Sequence, residues 1–533
     1  MGSNKIQSPI NRYFLVTFYV TIFRQSPLKY NHSQNHQRQF SSLNLSSNNL
    51  MNNTISFVQS SQIRAISSID SVCHVIQPLI QEILSQFVDL KSLDQAVTIA
   101  TEKHHKVAEK FFDFELANPA QTFTLKPNLL FPKVNNILAL QYGNPRYPLF
   151  LEKYYLQSIQ DQSILLEIHN LLYLCGKSNL SYKKISQQVS EPMVNLLDKL
   201  IKVSVVEKGE YKSPIDFQSP GVFRLQHAAL LYKTQNSRIL VDPHLHSNYG
   251  IPQLKKDITR PMLGDNVDAI LISHPHYDHW HYPTLMMFAP STPIFVPKVP
   301  RASIMCEDMK SRLEGLGFTN VIAVDWYSEP IVIGDIEIHV LPFYGEQPLV
   351  PDFNEPLNPD LRNWGNTYLL NTEYYKSWFL IDSGNDPMGS MNEVAEYVKN
   401  KFGTIDQILS NFQPLSYNSI GTDLSGWGID IVANLLSNPQ IFSVTNKTEG
   451  EHIALLGPKG VAEICAIVEA KYCLPYADSW AELGQPGIHD QSLIKDVEME
   501  LKALECTTEV IPWKIGDGFI TEGTTSKLEP TFY

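Results

Sequence analysis

The chain has no aspartate or glutamate before Asp70. It has only six cysteines in 533 residues, and no apolar run long enough to cross a bilayer. Each shortage excludes something. Cys73, Cys175, Cys306, Cys465, Cys473 and Cys506 are scattered, with no CxxC pair, so neither a zinc ribbon nor an iron–sulfur centre is expected. Thiols so spaced in a large chain read as buried side chains of a reducing compartment. The apolar run Tyr13 to Phe23 is about half of the ~20 residues that a membrane span needs. No small-x-small cleavage pattern follows it closely, as a signal peptide would require. Lys and Arg number 42 against 55 acids, for a net charge of −13. Phosphate backbones are bound by an excess of positive charge, so nucleic acid is not the expected partner.

What is present is a globular profile, 43% apolar and 18% charged. The length suggests two domains plus tails. Residues 1–69, acid-free and rich in Ser, Asn and Gln, read as an unstructured extension with Met51 as an alternative start. Their missing acids would also suit a segment targeting an organelle; otherwise the cytoplasm is the expected location.

From Asp70 to Ser219 the periodicity is mainly helical. Val72, Ile76, Leu79, Ile80, Ile83 and Phe87 recur at spacings of three and four, one apolar face of a helix. His104 to Leu116 is helical in composition. Ile164, Leu165, Ile168, Leu171 and Leu172 make a further helix. Ser181 is placed to cap a short second one, and Ser190 followed by Pro192 starts a third through Ile201. Val203 to Tyr211, with a turn at Gly209, is expected as a β-hairpin. Three helices and a hairpin resemble a winged helix. Its third helix sets Lys199 and Lys202 against Glu191 and Asp198, which suits packing or homodimer formation better than DNA binding.

After Gly221 the pattern turns to strands. Phe223 to Tyr232 and Arg238 to Val241 are expected as a hairpin turned at Gln235-Asn236. Val267 to Ser273, Ile294 to Val296, Val321 to Val324, Ile336 to Leu341, Thr367 to Leu370 and Trp378 to Ile381 follow. Helical stretches lie around Ile304 to Leu316 and Met391 to Lys401. The expectation is an α+β chain: an extension over 1–69, a helical domain over 70–219, and a β-sandwich with outer helices over 220–533.

The chemistry lies in Ser273-His-Pro-His-Tyr-Asp-His279. Four donors of the right types stand just beyond an apolar strand, where one loop can turn them onto two neighbouring cations. His274 and His276 would face one metal, Asp278 and His279 the other. This HxHxDH spacing is the signature of the metallo-β-lactamase superfamily, whose fold is an αββα sandwich. The chain resembles that superfamily from about Gly221 to Trp480. Arg238-Ile-Leu-Val-Asp-Pro243 is similar to its early strand ending in Asp, which makes Asp242 an orienting residue behind the histidine loop. Phe379-Leu-Ile-Asp-Ser-Gly384 is similar to its later strand, which makes Asp382 the carboxylate bridging both metals.

One departure stands out. Hydrolases of the superfamily supply a histidine near Leu341-Pro-Phe-Tyr-Gly-Glu-Gln347, and here there is none. His339 lies inside the strand, on the face opposite Ile336, Ile338 and Val340. Glu346 is placed to ligate instead, and carboxylate ligands shift a site from zinc towards iron or manganese. In this, and in its helical N-terminal region, the chain resembles the diiron β-hydroxylase family of the chloramphenicol pathway. That resemblance implies two iron ions, dioxygen as co-substrate, and an amino-acid-like or carrier-protein-bound substrate. The competing reading is a dinuclear hydrolase of phosphodiesters, lactones or amides, with zinc or manganese. A non-enzymatic regulatory role for the fold is a third. The last ligand of the second metal stays open among Asn411, His452, Asp478 and His489. His244 and His246 read as a loop near the pocket mouth.

Overall fold

Two sheets at the centre of the fold are buried on both faces, because several of their strands are apolar at every position. Ile239-Leu240-Val241 and Ala269-Ile270-Leu271 leave no side chain exposed. The structure is a computed structural model. It describes residues 53–57, 92–117, 162–177, 180–202, 206–210, 219–226, 228–245, 260–275, 279, 282–300, 308–315, 317–345, 362, 364–373, 375–416, 453–477, 491–522 and 525–530. Single residues and short strands between 78 and 152, and residue 217, are described as well.

The N-terminal part begins with β1 (Asn53–Phe57) and two helices, α1 (Leu93–Lys103) and α2 (His105–Phe111). The helix expected to continue to Leu116 stops at Phe111. Phe112–Asp113 is extended and pairs with Thr124–Leu125, burying the Phe112 ring. Three further helices follow: α3 (Gln162–Gly176), α4 (Tyr182–Ser186) and α5 (Glu191–Lys202). Ser181 caps α4 by accepting from Lys184 N. The hairpin expected over Val203 to Tyr211 is not formed. Gly209 lies inside a straight strand, β2 (Val206–Glu210), whose partner is β1, with Thr54 opposite Gly209. A lone glycine marks a turn only when the chain on both sides pairs with itself. Here the stronger partner is Asn53–Phe57, so part of the segment expected as an extension is a strand.

The first large sheet holds β3 (Gly221–Gln226), β4 (Ala229–Lys233), β5 (Arg238–Val241), β6 (Ala269–Leu271), β7 (Ile294–Pro297) and β8 (Val321–Val324). The strand expected from Phe223 to Tyr232 is in fact two, β3 and β4, which pair antiparallel. Its register shifts between Arg224 and Gln226. β5 to β8 run parallel, with α6 (Met309–Gly315) in the connection between β7 and β8.

The second sheet runs in the order β9 (Ile331–Ile333), β10 (Ile336–Pro342), β11 (Asn366–Asn371), β12 (Lys376–Ile381), β13 (Gln407–Ser410), β14 (Tyr472–Pro475) and β15 (Glu509–Val510). The first four are antiparallel neighbours and the last four parallel ones. Helices α7 (Met391–Phe402), α8 (Gly457–Val468) and α9 (Gln491–Ala503) cross between the parallel strands. The two final strands, β16 (Asp517–Glu522) and β17 (Thr525–Pro530), return to the first sheet beside β3.

The buried side chains sort into three layers. Val222, Leu230, Val241 and Leu271 of the first sheet meet Ile338, Val340, Leu370 and Phe379 of the second. Leu341, Trp378, Leu380 and Ile408 pack outward onto α7, α8 and α9. On the other side Phe223, Leu231, Leu240 and Ile270 pack outward onto α6 and onto α3 and α5. The architecture is therefore helix, sheet, sheet, helix, and one outer layer comes from the helices that precede the sandwich. Residues Met51–Tyr533 form one compact unit. No helix among the described residues is long and apolar enough to cross a membrane.

Candidate metal centre

The ends of β5, β6, β12 and β13 bring the polar residues together. β6 runs into Ile272-Ser273-His274, and β5 ends at Asp242, whose backbone N donates to Leu271 O at 2.9 Å. Asp242 is fully buried and has a positive φ of 44°, a conformation that Asp tolerates better than most residues. Its carboxylate is saturated. Oδ1 accepts from Ser273 N at 2.7 Å, and Oδ2 accepts from Ser273 Oγ at 2.6 Å and from His279 Nδ1 at 2.9 Å. Burial pushes this carboxyl above its usual range, while His279 and Ser273 pull it back.

β12 delivers Asp382 through an irregularity. Its register with β13 shifts between Phe379 and Ile381, and Ile381 has φ of +60°. A β-branched residue in that region is strained by roughly 1–3 kcal/mol. Asn411 N holds the carbonyl of Ile381 at 3.1 Å. The kink turns Asp382 towards the histidines. Asp382 Oδ2 lies 2.9 Å from His279 Nε2, and Oδ1 accepts from Asn411 Nδ2 at 2.9 Å. The same Asn411 amide donates to Ala477 O at 3.2 Å.

The donor atoms of His274, His279 and Asp382 lie within 4.8 Å of one another, and all three residues are buried. His274 and His279 rings are 4.1 Å apart, and Phe343 stacks on His274 at 4.8 Å. Ser273 Oγ is 2.8 Å from His274 Nδ1.

This donor set fits a cation. With Nδ1–H donating to Asp242, His279 turns a lone pair on Nε2 towards a carboxylate oxygen of Asp382. Two acceptors 2.9 Å apart repel unless a proton or a metal lies between them. A metal bound about 2.1 Å from each donor would hold such a pair about 3 Å apart.

The second sheet grips the histidine loop from its other side. Asn366 N donates to Ser273 O at 2.7 Å, and Tyr368 OH donates to Ile272 O at 2.7 Å. Between them and Phe343 sits Gly365, where a Cβ would come within 2.7 Å of the Phe343 ring and 3.1 Å of His274 Cβ. Gly365→Ala is expected to destabilise the chain by about 1–3 kcal/mol through overpacking. It should also lower metal retention, because Phe343 must move off His274. Thermal unfolding and metal analysis on one preparation check both effects.

A family profile described as "Beta-lactamase superfamily domain" matches residues 222–341. The superfamily segment ends where the second sheet begins its central strands, so Asp382 and Asn411 lie beyond the matched residues. A stretch of 192 residues, 36% of this chain, is 29% identical to the 4-amino-L-phenylalanyl-[CmlP-peptidyl-carrier-protein] 3-hydroxylase of Streptomyces venezuelae. That match covers 33% of the relative's own length. Among solved structures, the diiron β-hydroxylase CmlA from Streptomyces venezuelae is 15% identical. It covers 87% of this chain and 97% of its own, with a TM-score of 0.47. An isothiocyanate hydrolase from Delia radicum gut bacteria is 10% identical, covering 57% of this chain and 99% of its own, with a TM-score of 0.36.

Of the residues singled out from sequence, His274, His279, Asp382 and Asp242 come together. Asn411 joins them through a hydrogen bond to Asp382. His276, Asp278, Glu346, His246, His452, Asp478 and His489 lie outside the described residues. His244 is buried beyond Asp242. His339 packs against Phe402 at 4.5 Å, and burial lowers the proton affinity of its ring. Ser273, Phe343, Tyr368 and Gly365 were not legible as site residues. Of these only Ser273 lies inside the motif.

Proposed function

We propose that this chain is a dinuclear metal oxygenase that hydroxylates an amino-acid-like or carrier-protein-bound substrate with dioxygen. The observation that carries the reading is the buried His274–His279–Asp382 cluster keyed to Asp242, in a sequence that supplies Glu346 where hydrolases supply histidine. The residues that would hold the ions are His274, His276, Asp278, His279, Glu346 and Asp382. Two bound iron ions would supply the electrons and the Lewis acidity for activating dioxygen.

The protein's own contribution is orientation and exclusion of water. Asp242 accepts a hydrogen bond from the Nδ1–H of His279 and so fixes the tautomer that presents Nε2. Ser273 Oγ lies 2.8 Å from Nδ1 of His274, which leaves Nε2 as the atom that would bind a metal there. Asn411 restrains one oxygen of Asp382 and keeps the carboxylate plane turned towards the histidines. His274 and His279 are both fully buried, so charges placed among them act at low dielectric.

The relative from Streptomyces venezuelae is named for an aminoacyl group held on a carrier protein, and that name supports the same substrate class here. The helical region over 70–219, whose α3 and α5 cover the first sheet, serves in this reading as a docking or homodimer module beside a sandwich domain over 220–533.

The test is elemental analysis of the full chain purified without added metal, followed by mixing the reduced protein with oxygen. The expected result is about two iron ions per chain and a change in the optical spectrum on exposure to oxygen. Zinc alone, supporting hydrolysis of a simple phosphodiester or lactone, would put a hydrolase in its place.

A further inference from the structure

Arg362 and Asp386 form an ion pair, Nη1 to Oδ2 at 2.8 Å, with both side chains fully buried. Such a pair regains in attraction little more than it loses in hydration. Its use is better sought in what else the two groups hold, and what they hold is one loop. Arg362 Nη2 donates to Phe343 O at 2.9 Å, and Gly345 N donates to Asp386 Oδ2 at 3.0 Å. Between these, Gly384 N donates to Tyr344 O at 2.6 Å. Three consecutive residues are thus fixed through their backbones by groups that follow Asp382 or precede Gly365. The guanidinium itself is held 5.2 Å from the ring centre of Trp364 and 5.3 Å from that of Trp326. Trp326 in turn donates to Gly365 O at 2.7 Å.

The two ends of this clamped triplet adjoin two members of the ligand set. Phe343 stacks on His274, and the residue bonded to Gly345 is Glu346. Asp386 stands in the same segment as Asp382. We infer that the Arg362–Asp386 pair is a positioning device for the metal ligands, presetting residues 343–345, which directly precede Glu346 in the chain, relative to Asp382 and His274.

The inference rests on the reading of Glu346 as a ligand. The pair suits the task because the loop offers a carbonyl at Phe343 and an amide at Gly345, so its anchor must donate and accept at once. Arg beside Asp does both while remaining neutral overall, and the planar fork fixes direction as a lysine cannot. A ligand loop that is ordered beforehand loses less freedom when a metal binds.

The test uses the full chain with Arg362→Lys, Asp386→Asn and the double apolar variant Arg362→Met/Asp386→Leu. Three readouts are taken: amide exchange over 343–345 in the metal-free protein, ferrous-ion affinity by chelator competition, and the visible spectrum of the cobalt(II) form. The expected result is exchange at least about tenfold faster, one of the two ions weakened by about 10–100-fold, and an altered cobalt spectrum. The double variant replaces the pair with apolar side chains of similar size, so it should keep the fold and still show the weakened ion. Native affinities and an unchanged spectrum in these variants would overturn the inference, even if their melting temperatures fell. Glu346→Ala, measured alongside, separates the two failures. If it loses one ion while the pair variants lose none, the positioning role fails alone. If it too binds both ions normally, the ligand reading fails and takes the inference with it.

Discussion

His279→Ala should reduce bound metal from about two ions per chain to one or fewer and lower turnover by more than about a thousandfold, or ~4 kcal/mol. The side chain has two duties. Nδ1 binds Asp242 at 2.9 Å and Nε2 faces Asp382 at 2.9 Å. Alanine therefore removes a metal donor and also the imidazole that helps keep Asp242 charged. With that partner gone, burial should drive the Asp242 carboxyl to its protonated form, still bonded to Ser273. The cost to stability should be about 1–3 kcal/mol, typical of a buried polar group that loses one partner. The apolar layers on either side are untouched, so circular dichroism should show a native-like fold. Metal analysis, turnover and a thermal melt on one preparation check all three statements. Two ions and native turnover in the variant would show that the cluster is not the metal centre.

Glu346→His is expected to change which metal is bound more than how much. A carboxylate adds a negative charge and a hard oxygen donor, both of which favour the higher oxidation states of iron. Histidine restores the donor found at this point in the superfamily's hydrolases. The variant should take up more zinc relative to iron, by tenfold or more in competition. The reaction of the reduced protein with oxygen should fall by a similar or larger factor, while total metal stays near two. Inductively coupled plasma analysis and stopped-flow absorbance compare the two forms. If the metal preference and the oxygen reaction are unchanged, Glu346 is not a ligand, and the argument from it to an oxygenase is lost.

The strands of the sandwich were legible because burial on both faces leaves an unmistakable apolar sequence. Ile239-Leu240-Val241 and Phe379-Leu380-Ile381 are examples. The cluster was legible because HxHxDH puts several donors on one loop. What was not legible is long-range. β1 pairs with β2 across the whole helical region, and nothing local in Asn53–Phe57 announces its partner, whereas Gly209 announces a turn that does not exist. The split of Phe223 to Tyr232 into two strands was hidden for a similar reason, since the turn between β3 and β4 has no glycine or proline to mark it. Arg362 and Asp386 carry no local pattern in the sequence that announces a buried pair. Their burial follows from Trp364 nearby in the chain and from Trp326 and Tyr344 of other segments, which only the assembled sheets bring together.

The position of β16 has a consequence for how the chain comes to its native state. β16 pairs Gly518, Phe519 and Ile520 with Phe223, Val222 and Gly221, joining the first strand of the sandwich to a segment that follows the whole second sheet in the chain. During translation β3 has its neighbour β4 but not its other one, so one edge of the first sheet waits, unpaired, until the whole second sheet has emerged. Pairings between such distant segments form slowly, and an apolar sheet edge left open meanwhile is prone to association. Yield in the cell should therefore depend on chaperone supply and growth temperature more than the stability of the finished molecule would suggest.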